Sequence, residues 1–153
     1  MRAVSHVAIG VSDMDRALKF YRDLLGLRVT LDTMERVGGL KTIFANPQKG
    51  ERRAVYLRFD EGPHASFLVL SQSPGAANGK PLKVDQVGVH HFSFWVDDLR
   101  ERVEKLKSAG VPILVPPYES DTLAYGEAPG GKVLTALFED PDGTIVQFDQ
   151  RLS

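Results

Sequence analysis

The 153-residue chain contains no cysteine, which excludes a disulfide framework, a thiolate metal site and a cysteine nucleophile. Any bound metal must therefore take nitrogen and oxygen ligands. No stretch approaches the ~18 consecutive apolar residues of a membrane-spanning helix, and the N-terminus lacks the basic start and apolar run of a signal peptide. We therefore expect a cytoplasmic protein.

A surplus of one charge is also missing, because 19 Lys and Arg side chains stand against 20 Asp and Glu side chains, for a net charge of −1. Nucleic acids and anionic membranes attract strongly basic surfaces, so neither is an expected partner. Hydrophobic residues make up 42% of the chain and charged residues 25%, as in ordinary globular proteins. The expected partner is a small-molecule substrate.

A strand that leads directly into an amphipathic helix is predicted at residues 87–109, VGVHHFSFWVDDLRERVEKLKSA. Side chains alternate between the two faces of a strand, so His91, Ser93 and Trp95 share one face. Asp98 is predicted to begin the helix, with an acidic residue three positions later as in a capping box. The apolar stripe of this helix consists of Leu99, Val103 and Leu106. We expect the helix to cover the other face of the strand, which leaves His91 and Trp95 on the face without a helix.

The same pattern occurs once before, at residues 4–26, VSHVAIGVSDMDRALKFYRDLLG. His6 aligns with His91, and Ser12 is predicted to cap the helix that follows. The offset of about 85 residues is much longer than the repeat of a solenoid protein. We therefore interpret the chain as two copies of one module.

The remaining segments predict three further strands in each copy, so that each module has the order βαβββ. Module one spans residues 1–72, a linker rich in Gly, Pro and Ser spans 73–82, and module two spans 83–153. We expect the two modules to form a single domain of the α+β class.

Several connecting segments carry predictions of their own. Residues 40–45 are predicted as a short strand or a loop over the site, and residues 46–51 as a turn. The consecutive prolines that begin at Pro116 are predicted to end a strand. The long loop that follows, 118–131, contains Tyr125, and long loops in compact domains are often functional.

In three segments the chain resembles the vicinal oxygen chelate superfamily, which includes glyoxalases, bleomycin resistance proteins and extradiol dioxygenases. These segments are HVAIGVSDMDRALKFYRDLLGL, VGVHHFSFWVDD and FEDPDGTIVQF. The resemblance covers essentially the whole chain and implies the fold of that family, in which two βαβββ modules form a cupped mixed sheet around a divalent metal ion. It does not imply one reaction, because one fold hosts many chemistries. Relatives of this size are often homodimers, which is the assembly we expect.

Carried over position by position, the resemblance implies that His6 and His91, on the first strands of the two modules, are metal ligands. The last strand of module two offers Gln147 where the family usually has glutamate. At the corresponding place in module one, Val69 stands where glyoxalases usually have glutamate, and valine cannot bind a metal. The resemblance therefore favours the three-ligand branch of the family, with Fe²⁺ or Mn²⁺ as the expected metal ion and Zn²⁺ or Ni²⁺ as alternatives.

Two histidines and one carboxylate form the facial triad of non-haem iron oxygenases, which leaves open positions for substrate and oxygen. In this chain the amide of Gln147 takes the place of the carboxylate. The amide oxygen can still bind a cation but brings no charge, so we expect a weaker affinity for a hard divalent ion.

Two further residues are candidates for the site. Trp95 shares a face with His91 and is predicted to contact a planar substrate by stacking, although a packing role explains it at least as well. Tyr125 is a candidate catalytic residue that would offer its phenol as a hydrogen-bond donor or acid. An exposed loop tyrosine is its plainer interpretation, just as each histidine alone would be interpreted as a packed or surface side chain.

The resemblance to the three-ligand branch of the family favours a metal-dependent, ring-cleaving dioxygenase that acts on a small substrate with two neighbouring oxygens. The first alternative is a glyoxalase-like lyase or isomerase. Against it, this chain has Val69 at the position where glyoxalases usually have glutamate. The second alternative is a metal-free drug-binding protein of the bleomycin-resistance type, against which the near-neutral charge argues mildly.

Overall fold

The chain divides into two compact units, Met1–Gly79 and Lys80–Ser153. The computed structural model describes residues 3–36, 43–44, 50–74 and 79–153. Most of the residues for which the sequence predicts a short strand or loop (40–45) and a turn (46–51) therefore lie outside the described part of the chain. Each unit contains one four-stranded sheet.

The first unit is a four-stranded sheet with one helical segment packed against it. Its elements are β1 (His6–Gly10), α1 (Met14–Leu18), a π-helical extension of α1 (Lys19–Leu24), β2 (Arg28–Arg36), β3 (Glu51–Arg58) and β4 (Phe67–Gln72). The strand order is β1-β4-β3-β2, with β1 parallel to β4 and the other pairs antiparallel. Apolar side chains of the helical segment and of the sheet are fully buried, among them Met14, Tyr21, Val55, Leu57, Leu68 and Leu70.

The second unit repeats this arrangement. Its elements are β5 (His91–Trp95), α2 (Leu99–Ser108), β6 (Ile113–Asp121), a 3₁₀ helix (Thr122–Tyr125), β7 (Lys132–Glu139) and β8 (Ile145–Arg151). The strand order is β5-β8-β7-β6, with β5 parallel to β8 and the other pairs antiparallel. The predicted α+β class with two βαβββ modules is confirmed.

Helix α2 buries the stripe that the sequence predicts, because Leu99, Val103 and Leu106 are all buried. The helix contacts β6, β7 and β8, and the sheet contributes the buried side chains of Phe138 and Val146. Burial of this kind stabilises a helix of only ten residues, which would be marginal in isolation. No helix in the described residues has both the length and the apolar composition that a membrane span requires.

Strand β6 does not end at the prolines that begin at Pro116, as the sequence predicts, but continues to Asp121. The strand lies at the edge of its sheet, and its register with β7 shifts between Val115 and Tyr118. A proline lacks the N–H that a central strand must donate, but an edge strand or a bulge tolerates it. The loop in the structure is therefore shorter than the predicted one, and the 3₁₀ helix that carries Tyr125 follows the strand directly.

The N-cap of α1 is Asp13 rather than the predicted Ser12, since the Asp13 side chain accepts a hydrogen bond from the backbone N–H of Arg16 at 2.9 Å. Asp98 occupies the N-cap position of α2, as predicted, but its side chain makes no capping hydrogen bond. The Asp98 carboxylate instead pairs with the guanidinium of Arg102. The capping box predicted for α2 is therefore wrong.

A glutamine at the end of each unit's last strand supplies a helix cap that the sequence pattern does not reveal. In unit one the backbone N–H of Met14 donates to Gln72 Oε1 at 3.1 Å. In unit two the backbone N–H of Leu99 donates to Gln150 Oε1 at 3.0 Å. These bonds satisfy first-turn N–H groups that have no partner within the helix, and they join each helix to the last strand of its unit.

We expect Gln150→Ala to lower the free energy of unfolding by about 0.5–2 kcal/mol, because an N–H of α2 loses its acceptor. Gln150→Glu is the matched control, since it keeps an acceptor oxygen at the positive end of the helix dipole. Urea denaturation of both variants is the measurement. Equal stabilities of the Ala and Glu variants would contradict the proposed cap.

Candidate functional site

The face of the second sheet that α2 leaves uncovered carries a polar cluster. Ser93 on β5 pairs with Gln147 on β8, and Trp95 pairs with Asp149. Asp149 pairs in turn with Thr135 on β7. Because directly paired residues lie on the same face of a sheet, these side chains are neighbours. We call the four residues that bind the Asp149 carboxylate, together with Asp149 itself, the Asp149 cluster: Ser93, Tyr125, Thr135, Gln147 and Asp149.

Asp149 is the centre of this cluster and is only 3% exposed. Its carboxylate accepts hydrogen bonds from the phenol of Tyr125 at 2.7 Å, the hydroxyl of Thr135 at 2.8 Å and the hydroxyl of Ser93. Gln147 Nε2 donates to both carboxylate oxygens, at 2.8 and 3.0 Å. Four donors thus compensate the burial of an acidic side chain, which would be costly without them.

The amide of Gln147 is oriented by these contacts. An ionised carboxylate can only accept hydrogen bonds, so the amide turns its NH₂ group toward Asp149. The carbonyl oxygen Oε1, which is the atom that could bind a metal ion, is consequently directed away from the carboxylate. The structure thus places the predicted ligand Gln147 on the open face with its carbonyl free of Asp149.

Tyr125 is half-buried, so the plainer interpretation of an exposed loop tyrosine is wrong. Its hydroxyl lies 2.6 Å from Thr135 Oγ1 and 2.7 Å from Asp149 Oδ1. Burial, supported by the hydrogen bond to Asp149, raises the pKa of Tyr125 to about 12. The phenol is therefore protonated at neutral pH. Its catalytic role stays a prediction.

Trp95 is 58% exposed, and its ring does not fill a packed core. The ring centroid lies 5.6 Å from that of Tyr125, and the guanidinium of Arg151 lies 5.3 Å above the indole. Arg151 also forms an ion pair with Glu127 at 2.6 Å. An exposed indole beside a cation offers a surface for a planar group, which is the role predicted for Trp95.

His91 lies on the same face of β5, with its Nδ1 atom 2.6 Å from Nδ1 of His90. One of these nitrogens donates and the other accepts, so Nε2 of His91 takes no part in the contact. Burial lowers the pKa of His91, and His90 lowers it further, while Asp149 acts in the opposite direction. The neutral imidazole, which is the form that binds metals, is therefore favoured.

His6 lies in unit one, exposed, with its ring stacked on Phe67 at a centroid distance of 5.1 Å. The hydroxyl of Ser5 lies 2.9 Å from His6 Nδ1. Val69, which pairs with Ala8 on β1, is buried and supplies no ligand atom. Of the predicted metal ligands, unit one therefore contains His6.

The sheet face of unit one that carries His6 also carries a hydrogen-bond network that the sequence does not predict. Tyr56 pairs with Val69, and its hydroxyl donates to Glu35 at 2.6 Å, while Arg52 donates to Glu35 at 2.8 and 2.9 Å. The hydrogen bond from Tyr56, together with Arg52, lowers the pKa of Glu35. Glu35 lies on β2, whereas Arg52 and Tyr56 lie four positions apart on β3. A single acid on one strand and these two residues on another give no recognisable sequence signal.

The residues present fit a divalent ion that takes nitrogen and oxygen ligands. His91 favours its neutral form, and Gln147 directs its carbonyl oxygen away from Asp149. Among the described residues, no group of three or more His, Cys, Asp or Glu side chains forms a metal site by itself. That His6, His91 and Gln147 bind one ion stays a prediction.

Comparisons with known proteins agree on one family. The model of the Glyoxalase/Bleomycin resistance protein/Dioxygenase superfamily matches residues 3–148. The chain is 27% identical over 150 residues to a lactoylglutathione lyase of Haemophilus influenzae, covering 98% of this chain and 93% of that protein. It is 28% identical over 147 residues to an ethylmalonyl-CoA/methylmalonyl-CoA epimerase of Cereibacter sphaeroides, covering 96% of each. A glyoxalase family protein from Bacillus cereus shares the fold, with a TM-score of 0.70 over 100% of this chain and 96% of its own, at 18% identity.

We expect the ring of His91 to titrate below the ordinary histidine pKa of 6.5, because burial disfavours its charged form. Above that value the ring is neutral in the folded and the unfolded chain, so it has no effect on stability. Below it the unfolded chain takes up the proton first, and the free energy of unfolding falls as the pH falls. NMR titration of the ring and urea denaturation of wild type and His91→Asn over the acidic range are the measurements. A ring that titrates above 6.5 would contradict this expectation.

Proposed function

Because the chain belongs to the Glyoxalase/Bleomycin resistance protein/Dioxygenase superfamily, we propose that it is a metal-dependent lyase or isomerase. Its reaction moves a proton at a carbon next to a carbonyl group of a small substrate with two neighbouring oxygens. The similarity to a lyase and to an epimerase supports this alternative better than the dioxygenase that the sequence favours. Epimerisation inverts a carbon centre, which removal of a proton and its return to the opposite face of the carbon can achieve.

One observation carries the proposal: the phenol of Tyr125 donates a hydrogen bond to the buried carboxylate of Asp149 at 2.7 Å. Proton-transfer chemistry needs a positioned group that can take a proton and give it back. The sequence offers no glutamate at the position of Val69, and the Asp149 cluster supplies a carboxylate elsewhere.

We assign the metal-holding role to His6, His91 and Gln147, whose nitrogen and oxygen atoms suit a divalent ion. Such an ion, when bound, polarises the substrate oxygens and stabilises the negative charge that forms when the proton leaves. Trp95 contributes an exposed ring beside Asp149 on the same face, against which a planar part of the substrate stacks.

The proton would move through Tyr125 to Asp149. As the phenol oxygen takes the substrate proton, the phenol passes its own proton to the carboxylate, so the negative charge moves from Asp149 to the substrate. Return of the proton along the same two oxygens restores both groups, and it gives a product different from the substrate when the proton reaches the opposite face of the carbon or a neighbouring carbon. The high pKa of Tyr125, about 12, keeps the phenol protonated between turnovers, and the Asp149 oxygen that accepts the phenol hydrogen bond takes the transferred proton.

We expect the metal-loaded protein to exchange a substrate proton with solvent deuterium. Candidate substrates are hemithioacetals of 2-oxoaldehydes and branched malonyl thioesters, and proton NMR in D₂O follows the signal of the hydrogen next to the carbonyl. Loss of that signal beyond the rate of a protein-free blank is the expected result. Oxygen uptake with catechols, and no exchange with either substrate class, would contradict the proposal and favour a dioxygenase.

Tyr125→Phe should lower kcat of the exchange by about 10²–10⁴-fold, because it removes the oxygen through which the proton passes. KM should change little, since Trp95 and the metal ligands remain. Tyr118→Phe, at an exposed tyrosine on β6, is the matched control and should retain full activity. A Tyr125→Phe variant with normal kcat would remove Tyr125 from the mechanism.

A further inference from the structure

We propose that Asp149 is a positioning residue for Gln147: it holds the amide by its nitrogen, so that the carbonyl oxygen is the atom offered to a bound cation. This inference rests on the proposed function, in which Gln147 is a metal ligand. In this inference the buried carboxylate of Asp149 both orients the Gln147 amide and raises the electron density on its carbonyl oxygen.

The geometry begins with the strand. Residues two positions apart on β8 project to the same face, so Gln147 and Asp149 are neighbours, with Nε2 at 2.8 and 3.0 Å from the two carboxylate oxygens. Rotation of the amide by half a turn would place Oε1 at similar distances from the same oxygens. Two acceptors that face each other inside a protein repel and leave both without a donor. One orientation of the amide is therefore strongly preferred.

The carboxylate is itself fixed from other elements of unit two. Ser93 on β5, Thr135 on β7 and Tyr125 on the 3₁₀ helix each donate a hydrogen bond to it. Asp149 cannot turn away from Gln147 without losing these donors, and its burial leaves no room for solvent to replace them. The orientation of Gln147 is thus imposed by the fold of the whole unit.

The carboxylate also changes the ligand atom. An amide that donates its N–H to an anion gains electron density on its carbonyl oxygen, because hydrogen bonds in a chain polarise one another. Outer partners of this kind raise the basicity of metal ligands. Asp149 therefore compensates in part for the charge that the neutral Gln147 does not bring.

The side chains at positions 147 and 149 are coupled, so the proposal can be tested by swapping the amide and the carboxylate between these two positions. Gln147→Glu alone would place a second carboxylate within about 3 Å of Asp149, where two negative charges disfavour each other. Gln147→Glu combined with Asp149→Asn keeps one carboxylate and one amide in contact, with their places exchanged. The double variant should therefore be more stable than the Gln147→Glu single variant.

The first measurement is binding of Co²⁺ to the full chain, followed by visible absorption. Asp149→Asn should weaken binding by about 10- to 100-fold, the usual effect of removing an outer partner of a ligand. Asp149→Leu serves as a second variant that removes the acceptor entirely, and Gln147→Leu as the variant without the ligand. Glu101→Gln makes the same chemical change as Asp149→Asn on the exposed surface of α2 and should bind Co²⁺ like wild type.

The second measurement needs no metal. The side-chain NH₂ resonances of Gln147, identified by their absence in Gln147→Leu, report on the hydrogen bond to Asp149 in the metal-free protein. They should shift and exchange faster with solvent in Asp149→Asn but not in Glu101→Gln. Unchanged resonances, or unchanged Co²⁺ affinity in Asp149→Asn when Gln147→Leu binds weakly, would overturn the inference. If wild type binds no Co²⁺, the metal-dependent function fails, and the NH₂ resonances alone decide whether Asp149 positions Gln147.

Discussion

A carboxylate inside a folded protein is tolerated only when donors surround it, and in the second unit this constraint applies to Asp149. Strands β5, β7 and β8 and the 3₁₀ helix each supply a donor. The open face of this sheet is therefore organised around one acceptor. The same hydrogen bonds that stabilise the buried charge bring Tyr125 against the sheet and orient Gln147, so stability and the proposed chemistry depend on the same contacts.

The two units share a fold but not their polar side chains. The register of the strands relates Val69 to Gln147 and Ser71 to Asp149, so unit one has no acid at the place where unit two has its central carboxylate. Unit one instead carries Glu35, held by a tyrosine and an arginine. A duplicated scaffold has thus kept its backbone pattern while each copy acquired its own hydrogen-bond network, which agrees with the many chemistries that one fold can host.

Most of the fold could be predicted from the sequence, because strand alternation and helical stripes are local patterns. The continuation of β6 through Pro116 could not, since it depends on the edge position of that strand in the assembled sheet. In the site, alternation places Gln147 and Asp149 on one face. The importance of Asp149 was missed because its donors lie up to 56 residues away, and Tyr125 reaches it from a 3₁₀ helix that the sequence suggested only as loop.

In each unit the strand made last is an interior strand. β1 pairs with β4, and β5 pairs with β8, and in the described residues each first strand has no other hydrogen-bonded neighbour. During synthesis on the ribosome, therefore, the first strand and the helix of a unit emerge well before the strand that joins them to the rest of the sheet. The glutamines that cap the helices arrive on those same final strands. Each unit can therefore complete its sheet and anchor its helix only after its last strand has been synthesised. A nascent chain that pauses before β8 would leave β5 without a strand partner.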